Sequence, residues 1–119
     1  MISPTGKGIR SDRYGSGEYG AARGTRRHNG VDYLCDVGQD IVAPFDMIIV
    51  RVAKANIHSK TSGIKWQRGK STGIMLYFEP DQDLIGEPVK EGDVIGKAQD
   101  VSKDYGLPGM KAHIHFSIN

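Results

Sequence analysis

An all-β fold of short antiparallel strands, with few or no helices, is predicted by three features of the sequence. These are short β-branched and apolar runs, the glycines and prolines that punctuate them, and a terminal segment of strict alternation. With 119 residues the chain is long enough for one hydrophobic core and too short for two ordinary domains. One domain over residues 1–119 is therefore expected, with any site assembled from distant parts of one body.

The elements follow in chain order. Residues 1–27 hold Gly6, Gly8, Gly15, Gly17, Gly20 and Gly24 among few aliphatics, which predicts a glycine-rich basic loop packing on the β core. From Gly30 the texture changes, and Val31 to Cys35, Asp40 to Ala43 and Met47 to Val52 read as strands. Residues 56–71 are polar apart from Ile64 and Trp66 and predict a ragged hairpin or loop. Gly73 to Phe78 reads as a buried strand ended by Glu79 and Pro80, and Val89 to Gly96 as a tight turn between two short strands. After a loop containing Gly106, Pro108 and Gly109, Ala112 to Ile118 shows the clearest alternation in the chain. No window of 11 residues or more keeps a helical apolar period free of Gly and Pro.

Composition narrows the function classes. No apolar stretch approaches the roughly 18 to 20 residues that cross a bilayer, and no apolar run with a small-residue cleavage site follows Met1. A chain made in a cytoplasm, without membrane insertion, is the expectation. Cys35 has no second cysteine to pair with and reads as a core thiol. The net charge is only +2, but Lys7, Arg10, Arg13, Arg23, Arg26 and Arg27 crowd the first 27 residues against Asp12 and Glu18. Such a segment suits an anionic polymer, although glycines and acids interrupt it and nucleic acid is not the expected partner.

The chemistry-bearing residues are histidines and an aspartate. Side chains two apart on a strand share a face, so His113 and His115 stand together, opposite Ile114, Phe116 and Ile118. Four positions separate His28 from Asp32, and Gly30 between them permits a bend that turns both toward one point. Two imidazoles and a carboxylate suit zinc with water in the open position, and equally a non-haem iron centre. His28 and Asp32 could also form an ordinary imidazole–carboxylate hydrogen bond, and His58, in a polar loop, reads as surface.

Arg27-His28-x-Gly30-Val31-Asp32 followed by His113-x-His115 resembles the M23 family of zinc metallopeptidases, the lysostaphin-type peptidoglycan endopeptidases. Gly38 to Ala43 and the turn from Val89 to Gly96 resemble the family's corresponding segments, so the likeness runs over residues 14–118. In wording it is nearest the leukocyte cell-derived chemotaxin 2 branch, through Gly15 to Arg23, His28 to Cys35 and Ala43 to Phe45.

The resemblance implies an antiparallel sheet forming a groove open at one side for a peptide. It implies one zinc ion on His28, Asp32 and His115, with His113 as the catalytic histidine beside the metal. Active members carry a second catalytic histidine in a Tyr-x-His motif, where this chain has Tyr77-Phe78-Glu79. Tyr77 and Glu79 are then the candidates for donating to the oxyanion and moving the proton. Arg23 and Arg27, with Tyr19, are candidate contacts to the carboxylates of the substrate. The expected function is a zinc endopeptidase of bacterial peptidoglycan, phage tail-associated or lytic, acting at the cell wall as part of a virion or lytic system. The alternative is a non-catalytic zinc-binding interaction or structural module, as in the chemotaxin 2 branch.

Overall fold

The computed structural model describes residues 1–12, 15–18, 22–23, 26–27, 30–107 and 109–119, with side chains for 1–10, 17–18, 30–107 and 109–119. Its described strands are all paired antiparallel. Two small ribbons come first: β1 (Ser11–Asp12) with β2 (Gly15–Ser16), and β3 (Ala22–Arg23) with β4 (Arg26–Arg27). The larger strands are β5 (Val31–Leu34), β6 (Asp40–Val42), β7 (Met47–Ala53), β8 (Gly63–Arg68), β9 (Ser71–Leu76), β10 (Phe78–Pro80), β11 (Pro88–Val89), β12 (Val94–Ala98) and β13 (His113–Ile118). They form a six-stranded sheet in the order β11-β7-β8-β9-β13-β5 and a three-stranded sheet in the order β10-β12-β6.

The core lies between the two sheets. Ile49, Ile64, Met75 and Ile114 of the large sheet and Ile41, Phe78 and Ile95 of the small one are fully buried in one cluster. Trp66 stacks on Phe116 with centroids 5.5 Å apart, and Phe45 meets both rings edge-on. Such aromatic pairs add about 0.5–1.5 kcal/mol each beyond the apolar area they bury. Gly73 makes the stack possible, because a Cβ there would lie 2.6 Å from the Trp66 ring and 1.9 Å from the Ser117 carbonyl oxygen.

Two expectations need correction. Of the ragged hairpin or loop expected over residues 56–71, residues 63–68 form a regular central strand, the first arm of a hairpin with β9, because Ile64 and Trp66 alternate inward and anchor it. Residues 1–27 are not loop throughout, since the two ribbons form there and residues 8–10 run along the outer edge of β5. The Leu34 amide donates to the Gly8 carbonyl oxygen at 2.8 Å, and Ile9 bridges Tyr33. A helix of five residues, α1 (Val101–Tyr105), precedes the last strand; Asp100 caps its start and Gly106, in the left-handed region, ends it. It is too short to show a period in an 11-residue window.

One corner positions the site. The segment expected as a single strand from Gly73 to Phe78 breaks at Tyr77, so that β9 stays in the large sheet and β10 enters the small one. Tyr77 takes a φ of 81°, rare for a non-glycine residue and costing about 1–3 kcal/mol. The Ser62 carbonyl oxygen offsets that strain by accepting from both the Tyr77 and Phe78 amides, at 2.7 and 3.1 Å.

Candidate functional site

The site is built by strand register. β13 pairs with β5 so that His115 stands directly opposite Asp32, and His113 lies on the same face two residues away, opposite Leu34. Ile114 and Phe116 point the other way, into the core, as alternation demands. All three polar side chains are buried: Asp32 is 3% exposed, His113 3% and His115 8%. The His115 Nδ1 lies 3.0 Å from Asp32 Oδ1, and the His113 Nε2 lies 3.7 Å from Asp32 Oδ2.

His113 is oriented by its own strand entry. Its Nδ1 lies 2.8 Å from the Lys111 carbonyl oxygen, to which Nδ1–H donates, leaving Nε2 to face Asp32. Burial pushes its pKa below the ordinary imidazole value; Asp32 and the Lys111 bond oppose that shift, and Arg10 and His115 add to it. The ring of Tyr77 stands edge-on to His113, with centroids 5.2 Å apart, and reaches toward His115 as well. Its hydroxyl shares a short hydrogen bond with the Tyr105 hydroxyl. Burial, and then that bond, push the Tyr77 phenol far above its usual range. α1, which supplies Tyr105, is held by Asp104, whose carboxylate accepts from the Lys60 amide at 2.7 Å and the Thr61 hydroxyl at 2.6 Å.

Sequence reasoning missed Arg10. Grouped with the early surface cations, it is instead 2% exposed, with Nη2 3.3 Å and Nε 3.4 Å from Asp32 Oδ2. Lys7 is also engaged, 2.8 Å from Asp36. Two glycines admit these approaches. A Cβ on Gly17 would lie 2.6 Å from Asp32 Cβ, and one on Gly30 would lie 2.4 Å from the Phe116 carbonyl oxygen and 2.8 Å from the His115 ring.

The structure thus gathers Asp32, His113, His115 and Tyr77 and leaves Glu79 apart. Glu79 is exposed on β10 opposite Lys97, because Phe78 and Pro80 on either side of it turn inward. His28 and Tyr19 lie outside the described residues. Arg23 and Arg27 contribute backbone to the β3–β4 ribbon, their side chains lying outside the described set. His58 is exposed, as expected. Among the described residues, no group of three or more His, Cys, Asp or Glu side chains could hold a metal ion.

A His-x-His strand paired in register with an aspartate-bearing strand, in a β-rich antiparallel fold, is consistent with an all-β, M23-like fold class. No family model matches the chain. It is 33% identical over 106 residues to leukocyte cell-derived chemotaxin-2 of Mus musculus, and 32% identical over 106 residues to that of Bos taurus. Each comparison covers 87% of this chain and 68% of the relative. The chain belongs to the leukocyte cell-derived chemotaxin-2 family.

These findings correct the expected enzyme. The relatives carry the name of a chemotaxin rather than a peptidase, and the described residues assemble no metal-holding group of three. The position that should carry the second proton-transferring residue holds an exposed glutamate on the other sheet. A zinc endopeptidase of peptidoglycan, with the hydrolase and bacteriophage context attached to it, is therefore not the reading of this chain.

Proposed function

We propose that the chain is a non-catalytic interaction module whose sheet groove receives an extended peptide segment of a partner, and whose His/Asp site is a structural brace. The observation that carries this reading is the residue facing His113. That place is taken by Tyr77, buried, with its hydroxyl committed to Tyr105 and its acidity suppressed, so it is a packing partner and not a proton donor for turnover. Support for the groove comes from register: His115, Leu76 and Gly63 stand in one row across the large sheet, and Ser117, Ile74, Lys65 and Arg51 in the next. Ile74, Lys65 and Arg51 are the partly or fully exposed members of these rows, and an extended peptide laid on this face would be met by their side chains, since backbone pairing is offered only at a sheet edge.

Zinc belongs to the same proposal, with His28, Asp32 and His115 as its holders. The donor chemistry fits, since Asp32 Oδ1 and His115 Nδ1 lie 3.0 Å apart. Two ligands on one edge of a tetrahedral zinc site are about 3.3 Å apart. When bound, the ion would supply positive charge and a cross-link between β5, β13 and the segment that leads into β5.

The test combines metal content with hydrolysis. Purified protein is expected to carry one zinc, lost in Asp32→Asn, and to release no new amino termini from cross-bridged peptidoglycans. Zinc-dependent release abolished by His113→Ala would overturn the non-catalytic reading. Metal-free protein after zinc loading would remove zinc from it.

A further inference from the structure

We infer that Arg10 is a positioning residue, a built-in counter-charge that holds Asp32 so that the Asp32–His115 pair keeps its geometry with or without a metal. The metal half of this inference rests on the proposed reading of Asp32 and His115 as zinc ligands; the other half does not.

Asp32 is 3% exposed, and a carboxylate so placed stays ionised only beside a cation. Arg10 is itself 2% exposed, and a guanidinium keeps its charge at every pH of interest. Both of its contacting nitrogens meet Oδ2, the oxygen turned from His115, while Oδ1 is left to the His115 ring at 3.0 Å. Oδ2 thus faces Arg10 and, at 3.7 Å, the His113 Nε2, while Oδ1 faces His115, and this division sets the rotation of the carboxylate.

Backbone then fixes Arg10. Its amide donates to the Asp32 carbonyl oxygen at 2.8 Å, the Gly17 amide donates to the Arg10 carbonyl oxygen at 2.7 Å, and the Asp32 amide donates to the Gly17 carbonyl oxygen at 2.8 Å. This closed ring of three hydrogen bonds ties the three residues together, and a side chain on Gly17 would break it. The Arg10 backbone is thereby fixed beside Asp32, and the guanidinium, buried there, is kept against Oδ2 by its surroundings. In a site where the metal alone balanced the carboxylate, removing the ion would leave a buried uncompensated charge. Here Arg10 already balances it.

The experiment compares melting temperatures of the wild type, Arg10→Met, Arg10→Lys, Asp32→Asn and the double variant R10M/D32N. Each is measured metal-free after chelation and again with one equivalent of zinc. Metal-free R10M is expected to melt at least about 10 °C below the wild type, as breaking a buried pair does. Arg10→Lys should fall between them, since it keeps the charge and loses the fork. R10M/D32N should melt above R10M, because the orphaned carboxylate is gone, and zinc should raise R10M more than it raises the wild type.

A loss in R10M that is unchanged in the Asp32→Asn background would overturn the inference, because Arg10 would then act only by packing. So would a metal-free R10M melting within about 3 °C of the wild type. If R10M does not fold, the double variant decides: a folded R10M/D32N supports the inference and an unfolded one overturns it. Should the wild type take up no zinc, the zinc proposal falls, while the metal-free comparison still decides the role of Arg10.

Discussion

Replacing Gly30 by alanine tests the packing that brings β5 and β13 together. Its backbone is not in the left-handed region, so alanine is tolerable conformationally and the effect is steric. The new methyl would lie 2.4 Å from the Phe116 carbonyl oxygen and 2.8 and 3.0 Å from Cε1 and Nε2 of His115. An ordinary carbon–oxygen contact is about 3.3 Å, so roughly 0.9 Å of separation has to be found. The Phe116 carbonyl cannot yield freely, because Phe116 is paired with Val31 on one side and Met75 on the other. Overpacking of this kind costs about 1–3 kcal/mol, and the lower entropy of the unfolded alanine chain returns about 0.4–1 kcal/mol. A net loss of about 1–2 kcal/mol is expected in urea unfolding with an unchanged m-value. The same displacement would carry the 3.0 Å Asp32–His115 hydrogen bond toward the distance at which it fails, which the ring 15N shifts of His115 report. Stability within about 0.5 kcal/mol of the wild type, with His115 shifts unmoved, would refute the steric argument.

Three further outcomes follow from the same geometry. His113 has a folded pKa below its ordinary value, so between the two the unfolded chain binds more protons and stability falls as the pH drops through about 6.5. Metal-free His113→Asn should flatten that acid slope in urea midpoints taken from pH 7.5 to 5.5, and an unchanged slope would contradict it. Tyr105→Phe strands the buried Tyr77 hydroxyl and should cost about 1–2 kcal/mol, read as a lower melting temperature; no change would mean that the hydroxyl pair is idle. Cys35 is buried with its thiol pushed up to about 11, chiefly by burial, so at pH 8 only roughly 0.1% is thiolate. Its alkylation should be at least about 100-fold slower in the native protein than in urea, and fast native labelling would count against a buried thiol.

The strands were legible where side-chain chemistry alternates with a single buried face. Ala112 to Ile118 and Met47 to Val52 carry that pattern plainly, and both are strands. Residues 63–68 hid because only Ile64 and Trp66 are large and apolar there, while Gly63 is small for a different reason: a Cβ would lie 2.0 Å from the Met75 carbonyl oxygen. The break at Tyr77 was invisible because the apolar run continues unbroken across it. What ends β9 is a sheet change stabilised by Ser62, 15 positions earlier in the chain, and local pattern carries no trace of that partner.

The site divides along the same line. Asp32, His113 and His115 could be nominated from sequence because their residue types are chemically expensive to bury and their spacing sets two of them on one face. Glu79 was nominated because it holds the place of the histidine in the Tyr-x-His motif, yet the alternation that seats Phe78 in the core turns the next side chain to solvent. Arg10 shows the limit from the other direction. An arginine in a basic, glycine-rich stretch reads as one more solvated cation, and 22 positions separate it from its carboxylate. Only the pairing of residues 8–10 along β5 joins them, and the glycine that permits it, Gly17, is one of six in that stretch. A buried aspartate nonetheless poses a question that sequence can frame: which cation balances it when no metal does. In this fold the answer lies in the segment that composition alone assigns to the surface.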